Sequence, residues 1–208
     1  SGSADYGSVL LSKREVAAET AAVLGFSALH NGDKVGLLIF AKGTELYIPP
    51  EKGSRHLLRM IREILVAKPR EPGTSVADAC DFLVRTLRRK SVVFLISDFF
   101  SDPLEKPLGK LARKHETIAL RVMDPLEAKL PKAGRVVMID PETGFETLVN
   151  TGNHNLRMAY AKLMLRRQEG VAAIFKKHGI DAADLLTDGD TLAALHQLLK
   201  KRGRRRSG

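Results

Sequence analysis

Tryptophan is absent from this chain of 208 residues, and its aromatic side chains are limited to three tyrosines and eight phenylalanines. Proteins that bind single-stranded nucleic acids usually stack the bases on aromatic rings, so the composition argues against that class. The chain has one cysteine, Cys80, which excludes an intramolecular disulfide and favours a reducing compartment. We therefore expect a cytoplasmic protein. The residues around Cys80 have a helical pattern, which predicts a buried and inert thiol.

The sequence also lacks an apolar stretch long enough to cross a membrane and a recognisable secretory signal, so we expect no membrane segment within it. It contains no glycine-rich loop of the kind that binds phosphates, no nucleophile elbow and no kinase signature. The six histidines have no paired spacing suited to zinc. These absences argue against an enzyme, and we predict no catalytic residues.

Positive charge is concentrated at the end of the chain. The formal net charge is +10, from 34 basic and 24 acidic residues, and six of the basic residues lie in 200–208. Without those six the balance is 28 against 24, or +4, which is ordinary for a globular domain. A terminal basic run is usually a solvated tail, so binding of nucleic acid through it is the less favoured interpretation.

Three continuous apolar runs, at 34–40, 91–97 and 117–122, are separated by segments of helical periodicity. A continuous apolar run indicates a strand that is covered on both faces. Strands that alternate with helices predict an α/β fold, in which a mostly parallel central sheet lies between two layers of helices. We expect the three runs to be neighbouring strands of that sheet.

Caps and turn residues locate the other elements. Ser12 and Glu15 have the spacing of a capping box, and Asp190 has the position of a helix N-cap. The remaining predictions are a helix from Ser12 to Asn31, an edge strand at 44–48, helices beginning at Ser54 and Thr74, a helix at 104–114, a hairpin of 135–139 with 146–149, a helix at 155–177, a strand at 180–186 and a last helix ending near Lys200.

Four oxygen-bearing residues, Ser1, Ser3, Thr74 and Asp98, fall at predicted strand-to-helix connections. The carboxyl ends of parallel strands meet at one edge of a sheet, and ligands gather there. Hydroxyl and carboxylate oxygens are the ligands that Mg²⁺ and Mn²⁺ prefer. We therefore predict a Mg²⁺ or Mn²⁺ site formed by these four residues. Thr74 has a second interpretation as a helix N-cap, unless Ser75 has that role.

These residues and their order resemble a von Willebrand factor A-type domain with a metal-ion-dependent adhesion site. That motif has Asp-x-Ser-x-Ser in its first loop, Thr in the second and Asp in the third. The chain is most similar to the bacterial family known as domain of unknown function fifty-eight, which is associated with MoxR-type ATPases. The segments that carry the resemblance are 1–8, 31–40, 49–53 and 95–99.

The resemblance implies that the first carboxylate of the motif lies two residues before Ser1. We therefore expect a von Willebrand factor A-like domain over residues 1–200 that is incomplete at its N-terminus and in its first strand, followed by a basic tail over 201–208.

The resemblance implies a non-enzymatic adaptor that binds an acidic residue of a protein partner through its metal. It also implies a MoxR-type AAA+ ATPase as the partner, in the assembly or maturation of protein complexes. Arg55, Arg59 and Arg62 form a stripe on one helix, which suits either a solvated face or the surface of an acidic partner. Two alternatives remain: a Mg²⁺-dependent phosphatase or phosphotransfer domain that uses Asp98, and nucleic-acid binding through the tail.

Overall fold

The computed structural model describes residues 11–67, 74–100, 103–139 and 146–206. Strands and helices alternate along most of this chain, as the sequence predicts. The strands are β1 (Val35–Phe40), β2 (Thr44–Glu51), β3 (Val92–Ser97), β4 (Glu116–Met123), β5 (Arg135–Ile139), β6 (Glu146–Asn150) and β7 (Asp181–Leu186). The helices are α1 (Lys13–His30), α2 (Ser54–Val66), α3 (Val76–Thr86), α4 (Glu105–Lys114), α5 (His154–Lys177) and α6 (Thr191–Arg206).

The centre of the molecule is a parallel sheet with the strand order β3-β4-β7. Val92 of β3 pairs with Glu116 of β4, and the register continues without a shift to Ser97 and Arg121. Each crossover between these strands contains a helix, α4 in the first and α5 in the second. The predicted α/β class and the parallel pairing of the runs at 91–97 and 117–122 are therefore confirmed.

Helices cover both faces of this sheet, because alternate side chains of a strand point to opposite sides. On one face Val93 and Leu95 of β3 pack in a core with α3, α4 and α5. On the other face Ile118, Leu120 and Val122 of β4 pack in a second core with α1 and α6. The three-layer arrangement that the apolar runs predict is present, with one core on each side of the sheet.

The first apolar run has a different partner from the one predicted. In the described residues β1 pairs with β2 as an antiparallel two-stranded sheet and has no ladder to β3. The prediction that it neighbours β3 in one sheet was therefore wrong for this part of the chain. The turn between β1 and β2 is short, and Ala41 N–H donates to the Gly43 carbonyl across it at 2.9 Å, which closes the hairpin. Leu38 and Phe40 still pack against the core of α3, α4 and α5.

The ends of the first and last helices show which local signals were reliable. Ser12 and Glu15 form the predicted capping box, and Asp190 Oδ1 accepts from Ala193 N–H at 2.9 Å. However, α6 continues to Arg206, so the predicted end of the last helix near Lys200 was wrong. Lysine and arginine favour helices, and their charges suit a helix C-terminus, which explains the extension. The division into a domain over 1–200 and a basic tail over 201–208 stays a prediction.

Besides β1 and β2, a second pair of strands lies outside the parallel sheet. β5 and β6 form the predicted antiparallel hairpin, with Arg135 paired to Asn150 and Ile139 to Glu146. The 24-residue helix α5 follows the hairpin. Among the helices of the described ranges, none has both the length and the apolar character that a membrane crossing requires.

Candidate metal-binding edge of the sheet

Asp98 directly follows β3, at the carboxyl edge of the parallel sheet. The chain turns sharply after it, because Phe99 has a positive φ of 57°, which is unusual for a residue other than glycine. The Phe99 side chain is 1% exposed and makes an edge-to-face contact with Phe175 of α5, with ring centroids 5.0 Å apart. A strained residue that packing holds in place often lies beside a functional group. The turn fixes the direction of the chain beside the Asp98 carboxylate.

Both carboxylate oxygens of Asp98 have partners in the structure. Asp98 Oδ1 accepts from the Phe100 backbone N–H at 3.1 Å. Asp98 Oδ2 lies 3.3 Å from Lys13 Nζ, at the first residue of α1. The same lysine is also in contact with the Glu127 carboxylate, from the turn that follows β4. One ammonium group therefore contacts two carboxylates at this edge of the sheet, and the three side chains together keep one negative charge.

The electrostatics of Lys13 favour its charged form. Burial lowers the pKa of Lys13, but the hydrogen bonds and charges of Glu127 and Asp98 more than offset this effect. The pKa therefore lies above its ordinary value, and the ammonium stays protonated at neutral pH. Lys13 also lies 5.7 Å from the centre of the Phe100 ring, and Arg167 lies 4.9 Å from it.

Thr74 is exposed and lies at the entrance to α3. Ser75 is the N-cap of that helix, because its side chain accepts from Asp78 N–H at 3.2 Å. Ser75 therefore has the capping role, and the second interpretation of Thr74 does not apply. Ser75 N–H donates to the Ala41 carbonyl at 2.7 Å, so this segment lies beside the carboxyl end of β1. The convergence of Thr74 and Asp98 stays a prediction.

Ser1 and Ser3 lie outside the described residues, so their placement also stays a prediction. The first described residue is Leu11, whose N–H donates to the Thr187 carbonyl at 3.2 Å. Thr187 comes directly after β7, and its own N–H donates to the Met123 carbonyl at the end of β4. The chain that enters α1 therefore starts from the same edge as Asp98.

The donor chemistry of the predicted ligands fits Mg²⁺ or Mn²⁺, since every donor is a hydroxyl or carboxylate oxygen. Within the described ranges, no group of three or more histidine, cysteine, aspartate or glutamate side chains is arranged to hold a metal ion. Asp98 is the one carboxylate among the predicted ligands. In this structure the positive charge beside it comes from Lys13. A divalent cation at Asp98 would have to share or displace this ammonium.

The arginine stripe of α2 is exposed as predicted, at Arg55, Arg59 and Arg62. Apolar side chains on the same helix are also more than half exposed, namely Leu58, Leu65 and Val66. The end of α2 is tied to the start of α1, because Arg14 donates to the Ile64 carbonyl with its Nε at 3.4 Å and its Nη2 at 3.5 Å. The surface of α2 thus reaches the helix terminus that carries Lys13.

Lys13 and Glu127 are the residues of this edge that sequence reasoning missed. Lys13 follows the helix cap Ser12, and Glu127 lies in a polar turn, so both have the local character of solvated residues. Asp98 is 85 positions from Lys13 in the chain, and no local pattern links them. Their proximity follows from the fold, which brings the start of α1 to the end of β3.

Residues 1–170 match the family described as protein of unknown function DUF58. The chain belongs to this family. It is 31% identical over 208 residues to the uncharacterized protein Rv1480 of Mycobacterium tuberculosis, and the match covers 98% of this chain and 65% of that relative. It is 34% identical over 160 residues to the uncharacterized protein MAV169 of Mycobacterium avium, which covers 74% of this chain and 94% of that protein.

Two crystal structures have the same fold as this family member. One is an aerotolerance-related membrane protein from Bacteroides fragilis, with a TM-score of 0.56 and 16% identity over 93% of this chain and 94% of that one. The other is BatB from Bacteroides thetaiotaomicron, with the same TM-score and identity over 95% of this chain and 94% of that one. At this identity the likeness concerns the fold. The chain spans 65% of the length of the Mycobacterium tuberculosis relative.

Proposed function

We propose that this chain is a non-enzymatic adaptor domain whose carboxyl sheet edge binds a protein partner through Mg²⁺ or Mn²⁺. The observation that carries the proposal is the position of Asp98, which directly follows the parallel strand β3 and precedes Phe99 with its positive φ. In open α/β sheets such positions hold ligands.

The metal would be held by Asp98 and Thr74 together with Ser1 and Ser3. When bound, the cation would act as a Lewis acid that accepts a carboxylate oxygen of the partner. Phe100 N–H, 3.1 Å from Oδ1, fixes the orientation of the Asp98 carboxylate. Lys13 stabilises that carboxylate while no divalent cation is bound, and it makes the edge less negative. Phe99 and Phe100 follow Asp98, so no second carboxylate is adjacent in the chain for phosphoryl transfer.

The face of α2 supports a protein partner rather than a small molecule. Its exposed arginines give it positive charge, and its exposed leucines give it apolar area, which is the composition of a surface for an acidic amphipathic segment. The contact between Arg14 and Ile64 joins this face to the helix that carries Lys13. A partner that places a carboxylate at the metal could therefore also contact α2.

A MoxR-type AAA+ ATPase is the partner that we propose, in the assembly or maturation of a protein complex. This part of the proposal comes from the family resemblance. The positive charge of the α2 face adds one expectation, which is that the ATPase surface involved is acidic.

The test is a pull-down between the full-length protein and a MoxR-type ATPase from the same genome, with Mg²⁺ present. We expect Asp98→Ala to reduce binding to background, because the substitution removes the carboxylate ligand. A chelator should have the same effect on the wild type. Asp33→Ala is the matched control, since it removes another exposed carboxylate that lies before β1, and it should bind like the wild type.

A second variant tests the α2 face by replacing Arg55, Arg59 and Arg62 with glutamine. We expect weaker binding that depends more weakly on salt concentration, because fewer charges meet across the interface. Circular dichroism checks that each variant is folded. Binding that persists in Asp98→Ala and in the presence of chelator would contradict the metal bridge. It would indicate that the partner binds through the arginine face of α2 instead.

A further inference from the structure

Basic side chains gather at the edge of the parallel sheet opposite Asp98, where β3, β4 and β7 begin. The topology brings them together, because α3, α4 and α5 each end just before one of these strands, and α6 runs back from the end of β7 to the same edge. We call this the amino edge. Its exposed basic residues are Arg85, Arg88, Arg89, Lys90, Arg113, Lys114, Lys176, Lys200 and Lys201.

Contacts at the amino edge show that the parts of the chain named above meet there. Arg202 of α6 contacts Glu116, the first residue of β4, and its Nη1 lies 3.3 Å from Oδ2 of Asp181, the first residue of β7. Glu116 N–H donates to the Ser91 carbonyl at 2.9 Å, and Lys90 lines the same open depression as Arg202. The basic segment before β3 and the basic end of α6 therefore lie side by side.

The cations of the amino edge have few counter-charges. None of the nine exposed residues forms an ion pair with any residue that the structure describes. The two carboxylates at this edge, Glu116 and Asp181, both contact Arg202. Ten cations against two carboxylates give this edge a formal net charge of +8. A charge of this size on one side of a small domain attracts extended anionic surfaces.

The opposite edge carries acidic residues. Asp98 directly follows β3, Asp124 directly follows β4, and Asp188 lies two residues after β7. The molecule is therefore electrically polar along the direction of its parallel strands. An anionic surface that attracts the amino edge would repel the edge that carries Asp98, so the protein would bind in one orientation with Asp98 facing away from that surface.

A simpler explanation is that the cations only balance the partial negative charge at helix C-termini. That effect accounts for residues in the last turns of helices, such as Arg85 in α3 and Arg113 in α4. It does not account for Arg88, Arg89 and Lys90, which follow the end of α3 and precede β3. All three are exposed, and the effect of a helix end falls off within one turn.

The character of the amino edge favours a membrane over nucleic acid. Nucleic-acid-binding proteins commonly fix phosphates with backbone N–H groups and helix N-termini, whereas this edge has helix C-termini, whose carbonyls repel phosphate. A membrane needs no such fixed positions, since basic side chains attract its anionic headgroups over a Debye length of about 8–10 Å. Apolar side chains also lie among the cations, with Val92 50% exposed and Leu199 38% exposed. Such side chains suit the boundary between headgroups and acyl chains.

We propose that the amino edge binds the surface of a membrane that contains anionic lipids. The exposed lysines and arginines supply a diffuse attraction to the headgroups, and Val92 and Leu199 add apolar contact. Binding in this way leaves the edge that carries Asp98 accessible to a protein partner. The proposal does not depend on the metal-bridged function, because no residue is shared between the two edges.

The test is co-sedimentation of the full-length protein with vesicles of phosphatidylcholine alone or of phosphatidylcholine and phosphatidylglycerol in equal parts. We expect binding only to the anionic vesicles, and weaker binding as the salt concentration rises. Each basic residue near an anionic membrane contributes about fivefold to the affinity, so replacing Arg88, Arg89 and Lys90 together by glutamine should weaken binding about 100-fold.

The matched control replaces Lys129, Lys132 and Arg135 by glutamine. These residues are also exposed and remove the same charge, but they follow β4 and so lie beyond the carboxyl end of that strand. The control should stay within about threefold of the wild type, because charge attraction falls off within a Debye length. Circular dichroism checks that both triple variants are folded.

Four results would overturn the proposal. The first three are equal binding to both kinds of vesicle or to neither, equal weakening in the two triple variants, and unchanged binding when Arg88, Arg89 and Lys90 are replaced. The fourth comes from a duplex oligonucleotide at the same salt concentration. Tighter binding to the duplex than to the anionic vesicles, lost in the same variant, would assign the amino edge to nucleic acid instead.

Discussion

Replacing Lys13 by methionine tests whether its ammonium competes with a metal for Asp98. The side chains of Lys13 and Asp98 are 29% and 31% exposed, so the pair lies near the surface rather than in the core. A charge pair of this kind has a net value of about 0.2–1 kcal/mol, and Lys13 contacts two carboxylates. Displacement of the ammonium should therefore cost about 0.4–2 kcal/mol in total.

If a divalent cation has to displace Lys13, the Lys13→Met variant should bind Mg²⁺ about 2- to 30-fold more tightly than the wild type, which follows from that cost. The free energy of unfolding without metal should fall by about 0.4–2 kcal/mol, because two carboxylates lose their counter-charge. Isothermal titration calorimetry measures the affinity, and urea denaturation measures the stability.

Arg14→Met is the matched control, since Arg14 is the next residue of α1 and contacts the Ile64 carbonyl instead of Asp98. This variant removes the same charge from the same helix turn. An equal gain in Mg²⁺ affinity for both variants would show a general effect of net charge. A weaker Mg²⁺ affinity in Lys13→Met would refute the competition.

Two further predictions concern buried groups. Burial raises the pKa of the Cys80 thiol to about 12, so we expect no reaction with a disulfide reagent at pH 8 until urea unfolds the protein; rapid reaction in the native state would contradict this. Burial, followed by the charge of Lys114, lowers the pKa of His115 in the folded state. The unfolded state therefore binds more protons below about pH 6.5, and stability should fall as the pH drops below that value. The thermal midpoint, measured without phosphate, should depend less on pH in His115→Gln, and an identical pH profile would contradict the assignment.

The sequence predicted the elements of the fold well, because their signals are local. The capping box at Ser12, the Asp190 cap and the apolar run of β3 each depend on a few adjacent residues. The partner of β1 could not be predicted in the same way. Its apolar run suits a central strand, whereas the described residues pair it with β2, and the choice between a hairpin and a crossover depends on the whole sheet.

Of the charged residues that the structure brings together at this edge, the sequence predicted only Asp98. Asp98 was found because it follows an apolar run predicted to be a strand, and ligands bind at the carboxyl ends of strands in open α/β sheets. Its contacts with Lys13 and the neighbouring Glu127 join parts of the chain that are far apart in sequence, so no periodicity could reveal them. The paired role of Arg202 was missed for the same reason, since its charge resembles that of a solvated tail while its contacts are in β4 and β7.

The most direct measurement for the central claim is the binding of Mn²⁺ to the full-length protein, followed by electron paramagnetic resonance of the free ion. Mn²⁺ takes the same oxygen ligands as Mg²⁺. We expect saturable binding of one ion that Mg²⁺ displaces, and we expect Asp98→Ala to lose it while Asp33→Ala retains it. Equal Mn²⁺ binding by wild type and Asp98→Ala, or none by the wild type, would contradict a metal site at this edge of the sheet.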